Sequence, residues 1–171
     1  PVYDKPMIFY PLCTLMKSGI REILIITTPQ DNKLFYKLLG DGSQWGIEIK
    51  YEMQKYPDGI AQALIIAEKF LNNHPSALIL GDNIFYGNDF DNMIFKESKD
   101  YNSSVIFTYK VKNPKRYGVV DFDEKNNVIN IEEKPNFPKS KYIVTGLYYY
   151  DNNASNYAKS LKPSKRGELE I

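Results

Sequence analysis

The sequence predicts an α/β sandwich with a mostly parallel central sheet, and three observations carry that expectation. Two short apolar runs, Ile23–Ile26 and Ala77–Leu80, have the composition of strands covered on both faces. Segments with helical spacing of apolar residues alternate with them along the chain. Residues 117–135 break that alternation and read as a β-hairpin, expected to form a flap or side sheet.

Each element follows from its residues. In "KPMIFYPLCTLMKSG", Met7, Ile8, Leu12, Leu15 and Met16 fall near helical spacing. Gly19 suits the stop, and Pro11 limits hydrogen bonding in the first turn. "REILIITTP" is a strand, residues 31–39 are a helix ending at "GDG", and "GIEIKYEMQ" alternates as a strand with one wetter face. "PDGIAQALIIAEKFLNN" is the clearest helix, with Ile60, Leu64, Ala67, Phe70 and Leu71 on one side. "ALIL" is a short buried strand, 89–99 a polar helix and "SSVIFTYKV" a strand. In the hairpin, Glu124 to Asn127 join two alternating strands. "YIVTGLYYYD" is a strand with a tyrosine run, and "NASNYAKSLKPS" a short helix.

Bulk properties narrow the function classes. A chain of 171 residues, 43% hydrophobic and 25% charged, fits one domain with a real core. Lys+Arg is 22 against Asp+Glu 21, so no basic field exists to hold nucleic acid. Cys13 is the only cysteine, which excludes an intrachain disulfide and a thiolate metal cluster and points to a reducing, cytoplasmic setting. No apolar run approaches the ~18 residues of a membrane span, and no signal peptide is visible. The chain starts at Pro1 and stops at "RGELEI", and both ends read as cut.

Several residues could carry chemistry. Asp82 follows Gly81 at the end of the 77–80 strand, where ligands of parallel α/β sheets gather. It is either turn chemistry or a hard carboxylate suited to Mg²⁺. "PDGIAQA" opens a helix: Asp58 is either an ordinary cap, or Gly59 lets a flat ligand approach a helix N-terminus. Glu133 and Lys134 of "EEKP" point to opposite faces if both are extended, unless the strand twists at Pro135. Val144, Gly146 and Tyr148 share one face of their strand. Arg166 is a candidate phosphate fork, and His74 sits in a polar loop. With one histidine, no Ser-His-Asp or Cys-His arrangement assembles.

The order of the motifs says more than any one of them. "YDKPMIFYPLCTLMKSGI", "GDGSQWGI", "PDGIAQA", "LGDNIFYG", "RYGVV", "EEKP", "VTGLYYYD" and "KPSKRGELEI" succeed one another across the whole chain. Together they closely resemble the glucose-1-phosphate thymidylyltransferases (dTDP-glucose pyrophosphorylases) of the sugar nucleotidyltransferase family. The resemblance implies a Rossmann-like nucleotidyltransferase sandwich in which 1–111 binds nucleotide, 112–171 binds sugar and the hairpin is a sugar-binding flap. It implies Mg²⁺-dependent joining of dTTP and glucose 1-phosphate into dTDP-glucose and pyrophosphate, in dTDP-sugar (such as dTDP-L-rhamnose) biosynthesis. Asp82 would ligate Mg²⁺ beside the nucleotide, and Gln54 and Gly59 would contact thymine. Gly118, Glu133, Val144 and Tyr148 would form the sugar pocket. Lys134 and Arg166 would be the catalytic cations, both on the sugar phosphate.

The family's Gly-rich "GGxGTRL" loop would precede Pro1 and a second metal-binding Asp would follow Ile171. The 171-residue chain is therefore expected to be an incomplete domain, inactive alone, of a parent that assembles as a homotetramer. Two other readings stand beside this one: a non-catalytic sugar-nucleotide binding domain, and a related UTP-using uridylyltransferase. No membrane or nucleic-acid partner is expected.

Overall fold

The computed structural model describes residues 1–56, 58–99, 103–125, 127–164 and 167–170. The first helix, α1 (Phe9–Lys17), begins four residues later than the apolar spacing suggests. The N–H groups of Phe9 and Tyr10 bond to the carbonyls of Pro6 and Met7, each at 3.1 Å, in a turn that leads into the helix. Pro11 falls in the first turn, where its missing N–H has no intrahelical acceptor to lose. β1 (Glu22–Thr27), α2 (Asn32–Leu39) and β2 (Glu48–Met53) follow. β1 and β2 pair in parallel from Glu22↔Glu48 to Thr27↔Met53, the crossover geometry their alternation with α2 predicts. A short 3-10 turn, Ser43–Trp45, had no counterpart in the expected elements.

The expected long helix after Gly59 is divided at Ala67, whose ψ is −5°, into α3 (Ala61–Ile66) and α4 (Glu68–Leu71). Ala67 N–H to Ala63 carbonyl (2.9 Å) and Leu71 N–H to Ala67 carbonyl (2.8 Å) carry hydrogen bonding across the division. β3 (Ser76–Ile79), α5 (Phe90–Glu97), β4 (Val105–Lys110), the hairpin β5 (Gly118–Phe122) and β6 (Val128–Glu133), β7 (Tyr142–Tyr150) and α6 (Ala154–Ser160) complete the order.

β7 organises the larger sheet. β4 runs along one of its edges, from Val105↔Tyr149 to Lys110↔Tyr142. β3 (Ala77↔Tyr149) and β5 (Val119↔Ile143) share the opposite edge. All of these ladders are antiparallel, so among the described residues parallel pairing is confined to β1–β2 and the sheet system is mixed. The reason is topological. β3 and β4, linked across α5, still point the same way, but β7 is inserted between them in the opposite sense. Alternation of strand and helix fixes direction; it does not fix which strand fills the gap. The hairpin is bonded to β7 through Val119 and extends that sheet, while β6 is exposed along its length.

Three apolar clusters hold these layers. Leu12 and Leu15 of α1 pack with Ile23, Ile25, Leu39, Ile47 and Ile49. Ala61 and Leu64 of α3 meet Ala154 and Ala158 of α6, where small side chains let two short helices approach. Ile94 of α5 packs on Leu147 and Tyr149. The Tyr149 hydroxyl lies 2.7 Å from Ser18 Oγ and donates to the Ile94 carbonyl at 3.2 Å, tying β7 to the end of α1 and to the middle of α5. β1 and β3 are not paired to each other. Both line a cavity of about 680 Å³, together with α3 residues such as Ala63 and Leu64.

Candidate active site

The site is built on one face of β7. Gly146 lies between Val144 and Tyr148 on that face, and a Cβ there would fall 2.7 Å from Cγ of Asn83. The absence of a side chain at Gly146 lets the loop after β3 lie directly on the strand. Leu80 N–H donates to the Gly146 carbonyl (2.8 Å), and Gly146 N–H donates to Asn83 Oδ1 (3.1 Å). Asn83 Nδ2 in turn donates to Asp82 Oδ1 (3.0 Å). Asp82 is exposed, and among the described residues its Oδ2 accepts no hydrogen bond. Asn83 is the residue the sequence reading missed. Nothing in its local sequence announces that it faces Gly146, 63 positions away.

The hairpin brings Gly118 and Glu133 to the same face. Gly118 pairs with Glu133, and a Cβ on Gly118 would lie 3.2 Å from Glu133 Oε2 and 3.7 Å from Val144 Cγ2. Glu133 and Lys134 do not diverge as extended neighbours would. Lys134 adopts φ +47°, a left-handed value uncommon for a side chain with Cβ, and its Nζ lies 3.3 Å from Glu133 Oε1. Lys134 N–H is held by the Tyr117 carbonyl at 3.0 Å. The twist anticipated at Pro135 thus occurs one residue earlier and places a carboxylate and an ammonium side by side. Tyr148, 6% exposed, is stacked on Tyr150 with ring centroids 5.9 Å apart. Burial, and secondarily the charge of Glu133, push its hydroxyl above the ordinary tyrosine range.

Gln54 and Gly59 form a second group. Gln54 N–H continues the β1–β2 ladder by bonding the Thr27 carbonyl at 2.9 Å. Its Nε2 donates to the Gly59 carbonyl (3.1 Å) and to Gln62 Oε1 (2.7 Å). Gln62 Nε2 donates to Asp58 Oδ2 at 2.6 Å. Asp58 therefore acts through Gln62; the N-cap position of α3 is Ile60, and no side chain caps it. Gly59 has φ +103°, and a Cβ there would collide with the backbone of Leu169. Leu169 N–H bonds the Asp58 carbonyl (2.7 Å), and its carbonyl accepts from Ala61 N–H (3.2 Å). Gln54 and Gly81 both line the 680 Å³ cavity, which links this group to the Asp82 loop. Arg166 lies outside the described residues.

Gly118, Glu133, Val144 and Tyr148 are thus gathered around one strand face, with Lys134 beside Glu133 and Asp82 joined to that strand through Asn83, while Gln54 lines the cavity that Gly81 also lines. No group of three or more His, Cys, Asp or Glu is assembled among the described residues.

Over residues 1–171 the chain matches the nucleotidyl transferase family. It belongs to that family. A glucose-1-phosphate thymidylyltransferase of Neisseria meningitidis is 57% identical over 171 residues, which are 100% of this chain and 59% of the relative. One from Xanthomonas campestris is 54% identical, again over 100% of this chain and 58% of the relative. A solved Bacillus anthracis structure assigned as a glucose-1-phosphate thymidylyltransferase superposes with a TM-score of 0.86 at 38% identity, over 98% of this chain and 67% of that one. The likeness to UDP-glucose pyrophosphorylase solved with UDP-glucose, TM-score 0.84 at 22% identity, is one of fold alone. This nucleotidyl transferase chain spans about three fifths of the length of the curated relatives it matches, 59% in the Neisseria case. No helix among its described residues is long and apolar enough to cross a membrane.

Proposed function

We propose that the protein containing this chain transfers a thymidylyl group from dTTP to glucose 1-phosphate, giving dTDP-glucose and pyrophosphate. The observation that carries the reading is the convergence of Asp82, Glu133 and Lys134 on the face of β7 that Val144 and Tyr148 floor. The division of labour expected from the motifs follows: residues 1–111 hold nucleotide and 112–171 hold sugar.

Each group has a task its chemistry suits. The Glu133 carboxylate accepts hydrogen bonds from sugar hydroxyls, and the Lys134 ammonium holds the sugar phosphate. Gly118, without a side chain, leaves the ring room beside Glu133, and Tyr148 supplies an apolar wall. Arg166 is assigned to the same phosphate by its motif. The phosphate oxygen of the sugar attacks the α-phosphorus of dTTP in line, and pyrophosphate leaves. The protein orients the two reactants and neutralises their charge. Asp82 offers one exposed carboxylate, which Asn83 orients through Oδ1. That donor set fits Mg²⁺, which takes one or two carboxylates and completes its shell with phosphate oxygens and water. When bound there, Mg²⁺ would neutralise charge on the transferring phosphoryl group.

The test is pyrophosphate release by the full-length protein with dTTP, glucose 1-phosphate and Mg²⁺. Turnover that disappears when Mg²⁺ is chelated supports the reading. Binding of dTDP-glucose with no turnover would turn it into a non-catalytic binding domain. Homotetramer assembly belongs to the same proposal, and light scattering on that preparation checks it.

A further inference from the structure

We infer that Asp58 and Gln62 are positioning residues that set which way the Gln54 amide faces, and so which bases the site accepts. The inference rests on the reading of Gln54 as a base contact and goes beyond it, to two residues that touch no substrate. A glutamine amide has a donor end and an acceptor end of almost equal size, so its sense must be imposed by neighbours. Here the imposition runs through a chain of hydrogen bonds with one unambiguous member. Asp58, as a carboxylate, can only accept. It therefore takes a proton donor from Gln62, which fixes Nε2 toward Asp58 Oδ2 at 2.6 Å. Gln62 Oε1 is then left to accept, and it takes Gln54 Nε2 at 2.7 Å. The Gly59 carbonyl, another obligate acceptor, takes the same Gln54 nitrogen at 3.1 Å.

Both donor positions of Gln54 are thus consumed within the protein. Its Oε1 accepts from no described residue, and Gln54 lines the 680 Å³ cavity. What the site presents to a base is an acceptor. Thymine and uracil carry an imide N3–H, a donor, and match it. Cytosine carries an unprotonated N3 acceptor at that position and does not. Rejection of a mismatched polar edge is stronger than rejection of a missing methyl, because it leaves buried polar groups unpaired. The relay and the Gly59 carbonyl together set the sense of the Gln54 amide, and with it the base class.

The relay can be scrambled and rebuilt without changing its size. In Asp58→Asn, the side chain at position 58 can donate or accept, so Gln62 is free to reverse and Gln54 is held by Gly59 alone. In Asp58→Asn combined with Gln62→Glu, position 62 becomes the obligate acceptor. The amide at position 58 then donates to it, and Gln54 Nε2 is fixed as before. The experiment compares kcat/KM for dTTP and dCTP, each with glucose 1-phosphate, in the full-length protein and these two variants. The dTTP-over-dCTP ratio is expected to fall about tenfold in the single variant and to return to within about threefold of the parent in the double variant. An unchanged ratio in the single variant, or no recovery in the double, overturns the inference.

A parent protein that uses neither nucleotide defeats the catalytic reading instead. The relay is then judged by NMR of the Gln54 side-chain amide. Its two proton signals should move in Asp58→Asn and return in the double variant, and signals indifferent to both changes overturn the relay.

Discussion

Asn83 makes hydrogen bonds in two directions, and each has a separate consequence. Its Oδ1 satisfies Gly146 N–H within β7, and its Nδ2 holds Asp82 Oδ1. In Asn83→Ala the Gly146 N–H loses its partner, which costs about 1–3 kcal/mol, read as a lower denaturation midpoint. Asp82 also loses its orientation, so activity falls. Asn83→Asp separates the two effects. It keeps an acceptor for Gly146 but sets a second carboxylate beside Asp82, so its midpoint should lie nearer the parent's than that of the alanine variant. Its activity should fall as far. Asp82→Asn should leave the fold within about 0.5 kcal/mol, since Asp82 is exposed, while lowering turnover at least ~100-fold. Asp82 was legible because Gly81-Asp82 follows an apolar run. Asn83 was not, because its partner is distant in sequence. Gly146→Ala should destabilise more than either Asn83 change, because its Cβ would lie 2.7 Å from Asn83 Cγ and the loop must move.

At the scale of elements, β7 is the strand on which most depends, and its tyrosines report on it. Tyr148, Tyr149 and Tyr150 all have hydroxyls pushed above the ordinary tyrosine value near 10, with burial the largest cause for each. For Tyr149 the hydrogen bond with Ser18 opposes the shift in part. The folded state holds these groups neutral more strongly than the unfolded chain does. Their stabilisation is complete below pH 10 and is lost as pH rises from there toward the folded values. Urea midpoints should therefore be flat between pH 8 and about 9.5 and fall above it, and Tyr149→Phe should reduce the slope. The same variant should cost about 0.5–1.5 kcal/mol at pH 7 through the lost contacts with Ser18 and the Ile94 carbonyl.

The strand itself was plain from a run dominated by β-branched and tyrosine residues, and the hairpin from two alternating runs. The place of β7 between β3 and β4 was not. Strand pairing is decided by packing of distant segments, here Ile94 against Leu147 and Tyr149. The division of the helix at Ala67 and the return of Leu169 onto Asp58 and Ala61 likewise depend on contacts that no local pattern encodes.

Across the whole molecule, the proposed base contact at Gln54 lies on the lining of the 680 Å³ cavity. On the proposed reading the acceptor of Gln54 would distinguish thymine from cytosine, but it could not distinguish thymine from uracil, since both carry the imide N–H. Only the 5-methyl group remains to separate dTTP from UTP, and a single methyl in an apolar pocket is worth about 1–3 kcal/mol. UTP should therefore be a substrate of the full-length protein, with kcat/KM about 10- to 200-fold below that for dTTP. Parity between the two, or a UTP preference, would make uridylyl transfer the better reading. The 171-residue chain by itself is a different object. The cavity between β1 and β3 is apolar on most of its lining, and two residues that line it, Ser76 and Tyr150, have buried hydroxyls with no hydrogen-bond partner among the described residues. Exposed apolar surface and buried unpaired hydroxyls both cost stability. The chain alone should bind a hydrophobic dye and release pyrophosphate at least ~100-fold more slowly than the full-length protein. Dye fluorescence and pyrophosphate release, measured on both at equal concentration, decide it. Equal turnover would mean that these 171 residues already hold every group the reaction needs.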